Sequence, residues 1–438
     1  MGAIADALRE TRERTLALVT PVDDEDLQRV HSPLMSPLVW DLGHIAAFED
    51  LWIGHRHGGR PLLRDRLMDV YDAFETPRAE RGELPFLRPA EAREYMDEVR
   101  SRSLEVLAER GDDFVAELVL RHEQQHCETM LQTLALARLP GYSLTTAQPG
   151  TGTGPLAGAR HTSPQSRGTR ATSPPISGLD LVEVPGGECR IGAADGFAYD
   201  NERPRHRLTL PSFLIGQGPV SNADYLEFVM AGGYDHRNWW SDEGWAWKQQ
   251  YDITRPGGWT QTLDAEWRVD GIHPLDPAQP VVHVSWFEAD AFARAHDARL
   301  PTEAEWEKAA TWDQERQRAT VHPWGDEPGI PGVEANVDQI ATGPLPVAAD
   351  AGGGSPCGCL GMIGDTWEWT SSEFCGYPGF VAYPYREYSE VFFAGGYRVL
   401  RGGSWATRSR VITAAFRNWD LPQRRQIFSG LRIARDPR

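Results

Sequence analysis

Between residues 143 and 177 the chain carries no hydrophobic period and is rich in Gly, Ser, Thr, Pro and Ala. A stretch of that composition reads as a flexible tether rather than part of a packed core. It divides the 438 residues into two units of different texture, 1–142 and 178–438, each long enough for a core of its own.

The first unit is helical in pattern. Four segments, about 3–20, 37–56, 89–109 and 113–137, repeat their apolar residues with a period near 3.6. Ser36 before Pro37 predicts a capped start for the second, Pro89 opens the third, Asp112 is placed to cap the fourth, and Pro140-Gly141 ends it. Four amphipathic helices with one long connection, 57–88, predict a four-helix bundle. On the last helix Val115, Leu118, His122, Gln125 and Thr129 share a stripe, with Val119, His126 and Met130 beside it. On the second, His44 is flanked at helical spacing by Trp40, Ala47 and Leu51.

Each of these histidines stands where an apolar residue is expected. His122-Glu-Gln-Gln-His126 stacks two imidazoles one turn apart on one helix face. His44, delivered from another helix, would complete one side of a coordination sphere and leave the opposite side open, as a catalytic metal requires. Three neutral imidazoles suit a divalent borderline metal without choosing among Zn, Fe, Ni and Cu. Gln125 is expected as a hydrogen-bond donor beside the metal, and Glu123 on the helix surface near Arg121.

From Leu179 onward, short β-like runs (Leu181-Val-Glu-Val184, Val281-Val-His-Val284, Arg398-Val-Leu400) alternate with turns rich in Gly, Pro, Asp and Trp. Helical pieces are expected at Asn222–Met230, Trp286–His296 and Glu303–Ala310. This predicts an irregular α+β domain whose long loops carry function. A net charge of −19 argues against a nucleic-acid partner. No apolar run approaches twenty residues, so no membrane span is expected. The start, Met1-Gly-Ala-Ile-Ala-Asp, lacks the positive charge of a signal peptide. Five cysteines, an odd number, point to reduced thiols and a cytoplasmic protein. Cys357-Gly-Cys359 is spaced too tightly for a usual zinc or redox pair. Oligomeric state is not legible.

Several motifs together carry a resemblance. Pro219-Val-Ser-Asn222-Ala-Asp-Tyr225, Val284-Ser-Trp286, Arg299-Leu-Pro-Thr-Glu303-Ala-Glu-Trp306, Pro323-Trp-Gly-Asp326, Gly364-Asp-Thr-Trp367-Glu-Trp369, Arg401-Gly-Gly-Ser-Trp405 and Gly430-Leu-Arg432 span nearly all of 179–438. This half resembles the formylglycine-generating-enzyme (sulfatase-modifying) family, a variant of the C-type-lectin fold. The first half, through His44 and His122/His126, resembles the metal-binding four-helix bundles of the DNA-damage-inducible type. The implied fold is a two-domain α plus α+β protein. One departure matters: the formylglycine enzymes use paired cysteines near their C-terminus, whereas here no cysteine follows Cys375. The fold can therefore be shared without the peptide-oxidising chemistry.

With Ser36-Pro-Leu-Val-Trp-Asp-Leu-Gly-His44 and Phe416-Arg-Asn-Trp-Asp420-Leu-Pro-Gln-Arg-Arg425, the union of the halves resembles the ergothioneine-pathway sulfoxide synthases. These are non-haem iron enzymes that use O₂ to join a thiol to the imidazole of hercynine. The resemblance implies Fe(II) on His44, His122 and His126, and small-molecule substrates: hercynine, γ-glutamylcysteine and O₂. It implies Arg78, Arg81, Asp420 and Arg424 for the amino-acid end of the thiol, and Asn418 and Trp419 for hercynine, whose trimethylammonium is suited to aromatic faces. It also implies a phenol near the metal; among Tyr377, Tyr383, Tyr385 and Tyr388 the reading favours Tyr385, then Tyr377. Three alternatives stand beside it: a zinc-dependent thiol transferase, the same synthase using free cysteine, and a non-catalytic binding protein.

Overall fold

The computed structural model describes residues 2–111, 114–144, 177–193, 196–346 and 353–437. The predicted cap Asp112 and most of the predicted tether lie outside these residues. The first half contains α1 (Ala3–Val19), a short α2 (Asp24–Gln28), α3 (Leu38–Glu49), α4 (Pro89–Arg110) and α5 (Phe114–Ala137). The four long helices pack as a bundle, α1 against α5 and α3 against both α4 and α5. Pro89 takes the first turn of α4, where its missing N–H costs nothing.

Two local expectations fail in the first half. Ser36 does not cap α3: Pro37 holds the cap position without a side-chain bond, and Ser36 Oγ accepts from Arg81 Nη1 at 2.8 Å instead. Glu123 is not on the surface. It is 1% exposed and joins Glu49, Arg12 and Arg100 in a buried quartet. Arg12 Nε donates to Glu123 and Arg12 Nη2 to Glu49, both at 2.8 Å, while Arg100 donates to both carboxylates at 2.6–2.9 Å. Arg121 pairs with Glu117, one turn away, at 2.7 Å. Beyond Glu49 the second long helix widens into a π-helical segment, Asp50–His57, around the buried Asp50 carboxylate, which accepts from Leu63 N.

The second half has small sheets and long loops. Strands β1 (Leu181–Val184), β2 (Gly187–Ile191), β3 (His206–Leu210) and β4 (Phe213–Gly216) precede α6 (Asn222–Met230) and α7 (Asp242–Gln250). The hairpin β5 (Ala265–Arg268)–β6 (Gly271–Pro274) leads to α8 (Trp286–Ala295) and α9 (Glu303–Thr311). Then come β7 (Trp312–Asp313), β8 (Arg318–Ala319), β9 (Trp367–Glu373), β10 (Arg398–Arg401), β11 (Asn418–Asp420), β12 (Ser429–Leu431) and β13 (Ala434–Arg435). The largest sheet runs β11-β10-β9-β12, antiparallel except for the β9–β12 pair, and a second runs β1-β4-β13. Val281–Val284 is not a strand. His283 adopts φ +61, which breaks the pleat, although Val281 and Val284 still donate to Val220 and Ser429 carbonyls.

With so little sheet, buried ion pairs organise the loops. Arg401, Arg417 and Arg432 are fully buried. Arg432 forks onto Glu368 at 2.9 and 3.0 Å, and Trp306 Nε1 donates to the same carboxylate at 2.7 Å. Arg417 forks onto Glu303 at 3.0 Å, and Arg401 reaches Glu307 at 2.5 Å. Gly402, at φ +91, lets the chain turn where a Cβ would meet the Met362 carbonyl at 2.6 Å. Arg401, Arg417, Arg432, Glu303, Trp306 and Glu368, all from the quoted motifs, therefore hold the fold together.

The two halves share their cores. One apolar cluster includes Leu8, Trp52 and Val119 together with Val411 and Phe416. Another joins Trp40 and Leu131 to Trp405 and Phe428. At the seam Glu128 of α5 is buried and accepts from Trp367 Nε1, Ser404 Oγ and Thr407 Oγ1 at 2.6–2.7 Å. Burial raises its pKa, and these three donors pull it back.

Candidate metal centre

Helix α3 delivers His44, and α5 delivers His122 and His126, into the seam. One ligand-capable atom from each lies within 4.8 Å of the others. His44 Nε2 and His122 Nε2 are 3.2 Å apart, and the ring centroids are separated by 4.6–5.0 Å. The far side of two rings is committed. His44 Nδ1 lies 2.7 Å from the Tyr71 carbonyl and His126 Nδ1 lies 3.1 Å from Asp41 Oδ1. A carbonyl and a carboxylate accept only, so each Nδ1 carries a proton, which leaves Nε2 as the nitrogen to offer a metal.

The rings are also clamped by stacking. Trp40 lies over His44 at 4.9 Å and 11°, and Phe48 over His122 at 3.7 Å and 12°. Burial, and then the nearby His126, lower the pKa of both His44 and His122 well below the usual imidazole value. Both are neutral near neutral pH. Neutral rings, oriented tautomers and converging lone pairs are the donor set a divalent metal requires, and the residues fit one.

The remaining predicted residues divide into three groups. Gln125 lies between the two ligands on α5, and its Nε2 donates to the Tyr199 hydroxyl. Tyr199 stacks on Tyr388 at 4.5 Å. Tyr388 in turn meets Tyr385 at 6.2 Å and Trp419 at 5.9 Å. Tyr385 packs on Trp52 at 5.1 Å and on Phe48 at 6.4 Å, so a single ring separates it from His122. Burial raises the Tyr385 pKa, which keeps its phenol protonated.

Asn418, Trp419 and Asp420 form β11, with Trp419 stacked on Phe374 at 4.0 Å. Asp420 lies 3.6 Å from Arg424 and accepts from Gln426 Nε2 at 3.2 Å. Burial raises the Asp420 pKa, and the charges of Arg78 and then Arg424 lower it, while Arg78 Nη1 itself donates to the Leu34 carbonyl at 3.3 Å.

Two predicted residues are not brought to the centre. Arg81 donates to the Thr76 and Ala73 carbonyls and to Ser36, and its guanidinium lies 3.8 Å over Trp40. It is a strut behind the Trp40–His44 stack, and burial lowers its pKa to about 10. Tyr377 sits in a separate cluster with Cys189, Ile191 and Trp312, under the Arg417 guanidinium.

Sequence reasoning missed Asp41, Tyr71, Phe48 and Tyr199. Asp41 had a signal, being an acid one turn before His44 inside the quoted motif. Tyr71 acts through its backbone carbonyl, which any residue offers.

Residues 168–437 match the family model described as sulfatase-modifying factor enzyme 1-like domain, and residues 7–130 match the DinB superfamily. Fold and site thus define a helical bundle of the DinB type, bearing a three-histidine centre, fused to a sulfatase-modifying-factor domain. Hercynine oxygenase of Mycolicibacterium thermoresistibile is 43% identical over 451 residues, covering 99% of this chain and 94% of that protein. Hercynine oxygenase of Mycobacterium tuberculosis is 43% identical over 436 residues, covering 98% and 97%. The formylglycine-generating enzyme of Thermomonospora curvata is 33% identical over 229 residues, covering 45% of this chain and 72% of its own. The chain belongs to the hercynine oxygenase family.

Proposed function

We propose that this protein joins the thiol of γ-glutamylcysteine to the imidazole of hercynine with O₂, leaving the sulfur as a sulfoxide. The observation that carries the reading is the convergence of three oriented imidazoles at a seam whose other wall holds Tyr385, Trp419 and the Arg78–Asp420–Arg424 cluster. His44, His122 and His126 would hold iron(II), which supplies the redox couple for four-electron reduction of O₂. C–S bond formation releases two electrons and sulfur oxidation two, so no external reductant is consumed.

The protein's own residues bind, orient and protonate. Asp41 and the Tyr71 carbonyl fix the faces of two ligands. Arg78 and Arg424 receive a substrate carboxylate as forked donors, and Asp420 receives an ammonium. Trp419 offers an aromatic face to the trimethylammonium. Tyr385, held protonated by burial, is placed to donate its phenolic proton.

Aerobic incubation with iron(II), hercynine and either γ-glutamylcysteine or cysteine, read by mass spectrometry, tests the proposal. The expected product is the γ-glutamyl sulfoxide conjugate. No conjugate with either donor, or full turnover without O₂, overturns it. Arg78→Gln is expected to raise the KM for γ-glutamylcysteine about 10- to 100-fold. A better reaction with cysteine removes the thiol assignment while leaving the metal centre standing.

A further inference from the structure

A second cleft of about 450 Å³ opens on the seam away from the histidines. Its walls include Arg138, Asp252, Arg255, Trp259, Trp267 and Arg425. Arg138 follows the last turn of α5, twelve residues beyond His126 and about 18 Å along the helix axis. We propose that this cleft is a binding site for a small polyanionic metabolite, bearing phosphate or several carboxylates, distinct from the substrate site.

Three observations support it. The first is charge without compensation: the lining side chains hold three arginines against one aspartate, in a chain whose net charge is −19. Arg425 is neutralised by Glu288 at 3.0 Å. Among the described residues, Arg138 and Arg255 have no carboxylate within ion-pair distance. Arg138 lies over the Trp267 ring at 4.5 Å, and Arg255 donates only to the Trp259 carbonyl and to Thr254 Oγ1. Burial, and then the Arg255 charge, lower the Arg138 pKa, as two cations facing one space require.

The second is an unused donor. Trp259 is 2% exposed, and among the described residues its indole Nε1–H meets no acceptor. A buried donor left open is costly, so a small shift of the Trp259 indole toward an anion in the cleft it lines would be favoured. The third is shape. The volume lies within the range of small-molecule sites, large enough for a metabolite body as well as its charged group. Gly257 lies on the wall where a Cβ would come within 3.5 Å of the Arg425 guanidinium. Arg forks and an indole N–H fit tetrahedral or planar oxyanions and offer a cation nothing.

Titration calorimetry of the full chain with pyrophosphate and with citrate tests the site and separates its two possible sources. One anion is expected to bind one per chain. Arg138→Gln and Arg255→Gln are each expected to weaken it about tenfold or more, and Arg138→Lys, which keeps charge but not the fork, by less. Arg78→Gln is expected to leave anion binding unchanged. Indole ¹⁵N–¹H spectra should show the Trp259 signal, assigned with Trp259→Phe, shifting on saturation. The site is overturned if neither anion binds, if binding survives in the Arg138→Gln/Arg255→Gln double variant, or if Arg78→Gln abolishes it. Urea unfolding of each variant separates loss of binding from loss of fold.

Discussion

Helix α5 carries two polar clusters within one turn of each other, and they differ in what they leave unsatisfied. Glu123 enters a closed quartet in which two carboxylates and two guanidiniums meet one another in the dry bundle core. His122 and His126, beside it in sequence, enter an open trio with His44 whose ligand-capable ring nitrogens lie within 4.8 Å of one another. The quartet's hydrogen-bonding capacity is met within the bundle, by its own members, by Thr15 and by the Met96 and Leu8 carbonyls, so it can only stabilise. The trio has the outer nitrogens of His44 and His126 anchored and its inner ones turned toward one another, so it is completed by an ion between them. Polar groups in a core are structural or functional according to where their last valence points, and burial alone does not distinguish the two.

Breaking the open cluster should give the largest effect. His122→Ala or His126→Ala is expected to drop bound metal far below one per chain and turnover by about a thousandfold or more, with little change in the urea midpoint. Metal content by plasma emission and an unfolding curve separate the two readouts. The closed cluster should behave in the opposite way. Arg100→Met leaves two buried carboxylates sharing one cation and is expected to cost about 3–5 kcal/mol of stability in urea unfolding. Metal stoichiometry in whatever stays folded should be kept.

Between these extremes lies Asp41, which touches the open cluster from behind. Asp41→Asn is expected to weaken metal affinity about 10- to 100-fold in competition with a chelator, without emptying the site. If it destabilises the fold as Arg100→Met does, the division between the clusters is drawn in the wrong place. The smallest effect belongs to a surface pair. Arg29→Gln removes a contact to Glu25, whose side chain is 81% exposed, and should move neither metal content nor the urea midpoint.

The same contrast explains what the sequence could reveal. The i, i+4 spacing of His122 and His126 is a local signal, and period-3.6 patterning located all four long helices to within a few residues. Family motifs located the second half, and their charged residues include buried ion pairs such as Arg432–Glu368. Glu123 differs from the expectation because its only cation nearby in sequence is Arg121, two residues away, whereas its true partners are remote. Its partners, Arg12 and Arg100, are 111 and 23 residues distant. Val281–Val284 has the composition of a strand, but loop hydrogen bonds and a left-handed His283 override it. The sequence ranked Tyr385 before Tyr377 without placing either, and only the folded chain lays Tyr385 against Phe48 and Tyr377 in another cluster. The Arg78–Asp420–Arg424 grouping lies beyond any spacing argument, since it spans both halves.

The acceptor role of Glu128 has a consequence for modularity. The two halves match separate family models, residues 7–130 the DinB superfamily and residues 168–437 the sulfatase-modifying factor enzyme 1-like domain. Here, however, the bundle's carboxylate completes Trp367, Ser404 and Thr407, and they complete it. Cut between the modules, and each fragment inherits a polar wound in what had been its interior. Recombining either part with a new neighbour would first have to supply these polar partners anew.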